Sequence, residues 1–215
     1  MPADQAAGLR RRSARQPLRC IQCFVDSVQS TSRLALALHQ RGWISLLVDA
    51  RGRLLADSPA RSLFGWRQQL ERGQVHTLPL PHGDGWHAPG ARADEPALAG
   101  IAQDYDAVVF DAGLKADDDL ALMPGATHAV VIEVNATHES MLRAYTLLKT
   151  LSRAEAVYSI GLLGAAAACD RVCAACSHFL DPRFAQAIYS AAHEDGVFAA
   201  LAVRMASEEA SLAAR

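Results

Sequence analysis

Short, unbroken apolar runs alternate along the chain with longer segments in which apolar residues recur every three or four positions. The first pattern predicts buried strands, and the second predicts helices that pack on them. The predicted strands lie at residues 20–25, 44–49, 75–80, 106–111, 129–134 and 157–163. The predicted helices lie at residues 30–40, 63–72, 95–103, 138–152, 170–179, 182–193 and 197–214.

This alternation is typical of a three-layer α/β fold, in which helices cover both faces of a mainly parallel sheet. Ligands of such folds bind at the carboxyl ends of the strands. Asp49 and Asp111 each end a predicted strand, and a loop follows another strand at Val25. We therefore expect the two acids and this loop to share one edge of the sheet.

Hydroxyl side chains cluster after the first predicted strand, at Ser30, Thr31 and Ser32. A hydroxyl at the start of a helix caps a backbone N–H, and a glycine such as Gly42 supplies the left-handed conformation that ends many helices. The simplest role of the three hydroxyls is therefore capping. The alternative is that they donate hydrogen bonds to an anion at the helix N-terminus.

Composition divides the chain into an arm and one domain. Residues 1–17 are polar, basic and alanine-rich, which predicts a flexible N-terminal arm before a domain at 18–215. Residues 74–94 are rich in proline and glycine, which predicts a surface loop around one short strand. Hydrophobic residues make up 51% of the chain and charged residues 20%, which excludes a wholly disordered protein.

The net charge of −2 provides no general basic field, so we expect no nucleic-acid partner. Membrane association is expected to be weak or indirect, because the predicted C-terminal helix carries glutamates and no lysine. The chain has five cysteines, an odd number, and no apolar signal segment near its N-terminus. These features predict a protein of the reducing cytoplasm.

Two groups of side chains have the chemistry of metal ligands. They are Cys169, Cys173 and Cys176 on one face of a predicted helix, and His76, His82 and His87 in the proline- and glycine-rich loop. Thiols at helical spacing are more typical of a packed core. Cys20 and Cys23 form a C-x-x-C motif, but this spacing places their side chains on opposite faces of a strand. We therefore expect no metal site.

Three segments, in their order and spacing, resemble the MinD/ParA class of P-loop ATPases. GWISLLVDARG resembles the second strand, whose terminal acid, here Asp49, assists the nucleophilic water in active members. YDAVVFDAG resembles the Walker B strand with Asp111 as its acid, and THAVVIEVNATHESMLRAYTLLKTL resembles a later strand, loop and amphipathic helix. The resemblance covers about residues 18–165 and implies a MinD-like P-loop NTPase fold.

The segment at the phosphate site departs from this class. A P-loop needs glycines, whose backbone N–H groups wrap phosphate, and a lysine that meets its charge. No glycine lies between Gly8 and Gly42, no lysine precedes Lys115, and Asp26 adds a negative charge. We therefore expect ATP and Mg²⁺ binding to be lost or weak. The vestigial nucleotide site implied by the resemblance comprises Asp26, Ser30, Thr31, Ser32, Asp49 and Asp111.

The arm carries a second motif, because residues 4–10 read DQAAGLR. They match the DQAxxLR motif of the FlhG family, also called FleN or YlxH, which are MinD-like regulators of flagellar number. In that family the motif activates the SRP-type GTPase FlhF, and its glutamine enters the active site of the partner. The resemblance implies that Asp4, Gln5, Ala6, Leu9 and Arg10 activate such a partner.

The residue types of the motif suit this role. Asp4 can cap a short helix, which places Gln5 and Leu9 one turn apart on the same face. An amide both donates and accepts hydrogen bonds, so it can orient an attacking water without carrying a charge. Leu9 provides an apolar anchor, and Arg10 can meet a phosphate or an acidic patch.

The sequence therefore predicts a cytoplasmic regulator of flagellar number or placement, with its own ATPase activity lost and recruitment to the cell pole or membrane by its partner. The expected partner is a FlhF-like GTPase, with flagellar C-ring or transcriptional regulator proteins as further candidates. Two alternatives stay open. One is a MinD/ParA-type ATPase with an atypical phosphate loop, and the other is a scaffold that binds flagellar components without using the arm.

Overall fold

Helices and strands follow the hydrophobic pattern within the residues that the computed structural model describes, which are 18–53, 78–80, 83–85, 92–113, 121–154, 158–192 and 196–213. The strands are β1 (Arg19–Phe24), β2 (Ser45–Val48), β3 (Leu78–Leu80), β4 (Gly83–Gly85), β5 (Ala107–Asp111), β6 (Thr127–Val134), β7 (Tyr158–Gly164) and β8 (Ile188–Ala192). The helices are α1 (Val28–Gln40), α2 (Pro96–Ala102), α3 (His138–Leu151), α4 (Ala166–Phe179), α5 (Pro182–Gln186) and α6 (Val197–Ala213).

Six of the strands form one parallel sheet in the order β2-β5-β1-β6-β7-β8, and β3 pairs with β4 in an antiparallel hairpin. The chain first passes from the central β1 to β2 and β5 on one side. It then crosses to β6, β7 and β8 on the other side. Such a reversal leaves a crevice at the carboxyl ends of the central strands, where ligands of these folds bind.

Both faces of the sheet are covered by helices, so the predicted three-layer α/β fold is confirmed. Ile21 and Cys23 of β1 pack in the core beneath α1 and α6, whereas Cys20 and Phe24 pack beneath α2 and α3 on the opposite face. The two cysteines of the C-x-x-C motif therefore point away from each other, as predicted. Burial raises the pKa of the Cys20 thiol to about 12, so this thiol stays neutral.

Helix α1 begins earlier than the sequence predicts. The N-cap residue is Ser27, whose backbone is extended. The prediction that Ser30, Thr31 and Ser32 cap the helix is wrong, because all three lie inside its first turns. Thr31 lies one turn before the fully buried Leu34, on the face that packs against the sheet. Burial of this face sets the position of the helix.

Gly42 ends α1 as predicted. It adopts a φ of 84°, and the N–H groups of Gly42 and Trp43 donate to the carbonyls of His39 and Leu38. This pair of hydrogen bonds is a Schellman motif, which satisfies carbonyls at the end of the helix and turns the chain toward β2.

The prediction of one helix at 182–193 is wrong. Helix α5 ends at Gln186, and the next residues form β8, which pairs in parallel with β7 at the edge of the sheet. Alanine and glutamine favour a helix locally. Pairing with β7 decides the outcome, because it satisfies backbone groups of both strands.

Several predictions concern residues outside those described. They are the arm at 1–17, the helix at 63–72 and the histidines of the proline- and glycine-rich loop. Among the described residues, none of the helices is both long enough and apolar enough to span a bilayer.

Gly164 lies at the end of β7, where its backbone passes against the carbonyl of Val134. Its φ is 147°, and a Cβ there would overlap this carbonyl oxygen. Gly164→Ala is therefore expected to lower the free energy of unfolding by about 3 kcal/mol or more. Urea denaturation measures this loss. The matched control is Gly100→Ala within α2, where a Cβ meets open space and no loss is expected. Equal stability of the two variants would contradict the prediction.

Candidate functional site: a strand-end cleft held by an arginine

The carboxyl ends of four neighbouring strands bring acidic residues together in what we call the strand-end cleft. Asp49 follows β2, Asp111 ends β5, Asp26 follows β1 and Glu133 lies near the end of β6. Asp49 and Asp111 are fully buried, Glu133 is buried, and Asp26 is exposed. The prediction that Asp49, Asp111 and the loop after Val25 share one edge of the sheet is confirmed.

The guanidinium of Arg53 lies at the centre of the strand-end cleft. Its Nη2 and Nε donate to the two carboxylate oxygens of Asp111, at 2.6 and 3.0 Å, in a bidentate ion pair. Its Nη1 donates to the carbonyl of Asp26 and its Nη2 to the carbonyl of Val25, each at 3.0 Å. The backbone N–H of Arg53 donates to Oδ1 of Asp49 at 2.8 Å. Arg53 therefore links the ends of β1, β2 and β5.

The ion pair spans the boundary between the core and solvent. Asp111 is completely buried, whereas the side chain of Arg53 is 27% exposed. Its hydrogen bonds with Asp111 raise the pKa of Arg53 above its usual value. The guanidinium therefore stays charged throughout the physiological pH range. Because a buried carboxylate is costly without a partner, this charge is what stabilises Asp111 in the core.

Helix α1 supplies a second contact to the same acid. Oγ1 of Thr31 donates to Oδ1 of Asp111 at 3.3 Å, and both groups are buried. Ser30 is buried and Ser32 half-buried on neighbouring positions of the helix. Of the three predicted hydroxyls, Thr31 is the one that the fold brings against an acid of the cleft.

A carboxylate of the chain accepts a hydrogen bond from a backbone N–H in the loop after β1. The backbone N–H of Asp26 donates to Oε2 of Glu133 at 2.7 Å, which joins the ends of β1 and β6. In a P-loop, backbone N–H groups of this loop bind phosphate oxygens. Here the N–H of Asp26 donates instead to a carboxylate oxygen of Glu133.

Sequence reasoning missed both Arg53 and Glu133. Glu133 carried a signal, because it is a single acid inside the apolar run VVIEV, and an ionisable group in a buried strand requires a partner. Arg53 carried little signal, since it follows Asp49 in an ordinary polar turn. Only the tertiary fold places this turn over the end of β5.

The cysteine face of α4 belongs to the core. Cys169 and Cys176 are buried against the sheet, and the half-buried Cys173 packs beside them. Burial raises the pKa of the thiols of Cys169 and Cys176 to about 11. Cys169 and Cys176 therefore lie in the packed core, as their helical spacing predicts. Within the described ranges, no three His, Cys, Asp or Glu side chains are grouped so as to hold a metal ion.

An apolar groove of about 370 Å³ lies between α3 and α4. Leu142 and Phe179 line it and are 55% and 69% exposed. Its lining also contains His138 and Arg171 and includes no acidic residue. The groove therefore combines exposed apolar surface with a cationic side chain.

Solved structures share this architecture. The chain is similar to the MinD cell division protein of Aquifex aeolicus, with 16% identity over 85% of this chain and 86% of that chain, and a TM-score of 0.51. It is also similar to a ParA family ATPase from Chlorobium tepidum TLS, with 17% identity over 71% of this chain and 75% of that chain, and a TM-score of 0.50. The sequence matches no protein-family model and no curated protein. The structural similarity to these two proteins shows that the protein has the MinD/ParA type of P-loop NTPase fold.

Asp111→Asn is expected to lower the free energy of unfolding by about 2 to 3 kcal/mol, because it leaves the charge of Arg53 without its buried partner. Urea denaturation at neutral pH measures the loss. Asp26→Asn is the matched control, since this carboxylate is exposed, and its effect is expected to stay within about 0.5 kcal/mol. A loss for Asp111→Asn no larger than that of the control would show that the ion pair does not stabilise the fold.

Proposed function

We propose that this protein is a non-catalytic regulator of the FlhG kind, which acts in the control of flagellar number or placement. It stimulates a FlhF-like SRP-type GTPase through its N-terminal arm. The observation that carries this proposal is the DQAxxLR motif at residues 4–10, ahead of a domain with the MinD/ParA fold. Neither feature alone would support this function, because the motif is short and the fold hosts many activities.

The contacts of the strand-end cleft support the loss of ATPase activity. In P-loop NTPases, Mg²⁺ is held by a Ser or Thr of the loop and by the Walker B aspartate. In this chain the acid that resembles the Walker B aspartate is Asp111, which accepts a hydrogen bond from Thr31 and is paired with Arg53. Glu133 also holds an N–H of the phosphate loop. Mg-ATP would have to displace these contacts without the glycines and lysine that normally bind phosphate.

Mg-ATP at millimolar concentration is therefore expected to produce no heat of binding in calorimetry. Ser30→Lys should not restore binding, because the glycine backbone geometry is also missing. A dissociation constant in the low micromolar range, or dimerisation induced by the nucleotide, would favour the alternative of an ATPase with an atypical phosphate loop.

The arm would stimulate hydrolysis by positioning the attacking water. Gln5 orients the attacking water in the active site of the partner, where a positioned amide lowers the entropic cost of reaching the transition state. Leu9 and Arg10 provide binding energy at the edge of that site. Because these roles differ, their substitutions should affect different kinetic quantities.

A peptide covering residues 1–16 is expected to accelerate GTP hydrolysis by the cognate SRP-type GTPase, and the full chain should do the same. Gln5→Ala should remove the acceleration with little loss of binding, because the amide acts mainly in the transition state. Leu9→Ala and Arg10→Ala should instead raise the peptide concentration that gives half of the maximal effect. Phosphate release from the partner measures both quantities.

Gln16→Ala is the matched control for this experiment, since it removes the same amide outside the motif. Equal stimulation by the parent peptide and by Gln5→Ala would show that the arm is not an activating peptide.

The groove between α3 and α4 favours a second candidate function, that of a scaffold for flagellar C-ring or transcriptional regulator proteins. Its exposed Leu142 and Phe179 offer apolar contact area, and Arg171 can pair with a carboxylate of the partner. The two functions are compatible on one chain. A chain lacking residues 1–17 that keeps its full effect on flagellar number would leave the scaffold as the whole function.

A further inference from the structure

We infer that the side chain of Arg53 is a built-in ligand of the strand-end cleft, supplied by the chain itself. Its guanidinium holds the loop after β1 against the ends of β2 and β5. In nucleotide-binding proteins of this fold, a bound cation and nucleotide have this role. The cleft then keeps one arrangement without a nucleotide. This inference goes beyond the proposed function and does not depend on the partner GTPase.

The hydrogen-bonding geometry of Arg53 matches its surroundings in a way that no other side chain can reproduce. A guanidinium presents five N–H groups in a planar fork, which suits a carboxylate on one side and carbonyls on the other. The fork binds both oxygens of Asp111, and two of the other three N–H groups donate to the carbonyls of Val25 and Asp26. The acceptors come from two different strand ends, so one side chain fixes the spacing between them.

The cleft also requires a cation. The end of β5 places the carboxylate of Asp111 wholly inside the protein, where Thr31 alone could donate only one neutral hydrogen bond. A buried carboxylate without a counter-charge is strongly destabilising. In P-loop NTPases Mg²⁺ provides this positive charge at the Walker B acid. Arg53 provides it here.

Two glycines with positive φ lie in the turns next to Arg53. Gly52 adopts a φ of 67°, which reverses the chain between Asp49 and Arg53. Gly113 adopts a φ of 66°, and a Cβ at this position would lie 3.2 Å from Cγ of Arg51 and 3.7 Å from Cζ of Arg53. Arg51 in turn donates to the carbonyl of Ala112 at 2.8 Å. Gly52 therefore supplies the turn that brings Arg53 over the cleft, and Gly113 leaves room for the neighbouring side chain of Arg51.

Chemical rescue of Arg53→Ala tests this inference. Removal of the side chain leaves a partly exposed space beside Asp111 that a small guanidinium ion can enter. Arg53→Ala should lower the melting temperature by roughly 5 to 10 °C. It should also accelerate amide hydrogen exchange across residues 26–32 relative to the rest of the chain. Methylguanidinium at tens of millimolar should recover at least half of both losses, by binding the folded state.

Methylammonium at the same ionic strength should recover much less, because it has the charge without the planar fork. Arg51→Ala is the matched control, since it removes a neighbouring arginine that bonds to a carbonyl, and methylguanidinium should not rescue it. An unchanged melting temperature of Arg53→Ala, or equal rescue by methylammonium, would overturn the inference.

A double variant keeps the test decisive if Arg53→Ala does not fold. Replacement of both members of the pair, in Arg53→Met with Asp111→Asn, removes the buried charge together with its partner. The double variant should melt at a higher temperature than Arg53→Met alone. A melting temperature lower than that of both single variants would show that the two residues do not act as a pair, and the inference would fail.

Discussion

The ion pair between Arg53 and Asp111 is the constraint on which the strand-end cleft depends. The parallel sheet places the carboxylate of Asp111 in the core at the end of β5, where water does not reach it. Such a charge needs a partner of opposite sign and several donors. Arg53 meets both needs and bonds at the same time to the ends of β1 and β2. The arrangement of the loop before α1 follows from this requirement.

The groups that meet the charges at the strand ends differ between this chain and P-loop ATPases. A P-loop ATPase satisfies its strand ends with phosphate, Mg²⁺ and a lysine, so its arrangement depends on the ligand. Here the positive charge comes from Arg53, and the acceptor for a loop N–H comes from Glu133. Under the proposed function, the body is thus a stable support that needs no nucleotide, and the activity resides in the arm.

The proposed function assigns different roles to the arm, the groove and the strand-end cleft. Under the proposed function, the residues that act on a partner are those of the DQAxxLR motif in the arm. The groove between α3 and α4 has the exposed apolar side chains that a binding surface requires. In the strand-end cleft, by contrast, the charge of Asp111 is paired with Arg53 of the same chain. A protein that acts through partners needs binding surfaces such as the arm and the groove.

The sequence by itself determined most of the architecture, because strand and helix periodicity is a local property of the chain. It located five of the six parallel strands, the glycine stop of α1 at Gly42, the acids Asp49 and Asp111 at strand ends, and the absence of glycine and lysine from the loop after β1. The tertiary structure decided the rest. Pairing with β7 made residues 188–192 a strand where the sequence predicted the end of a helix, and burial of one face of α1 carried Thr31 to Asp111. Only the packed fold brought Arg53 and Glu133 into the cleft, because their partners lie 58 and 107 residues away along the chain.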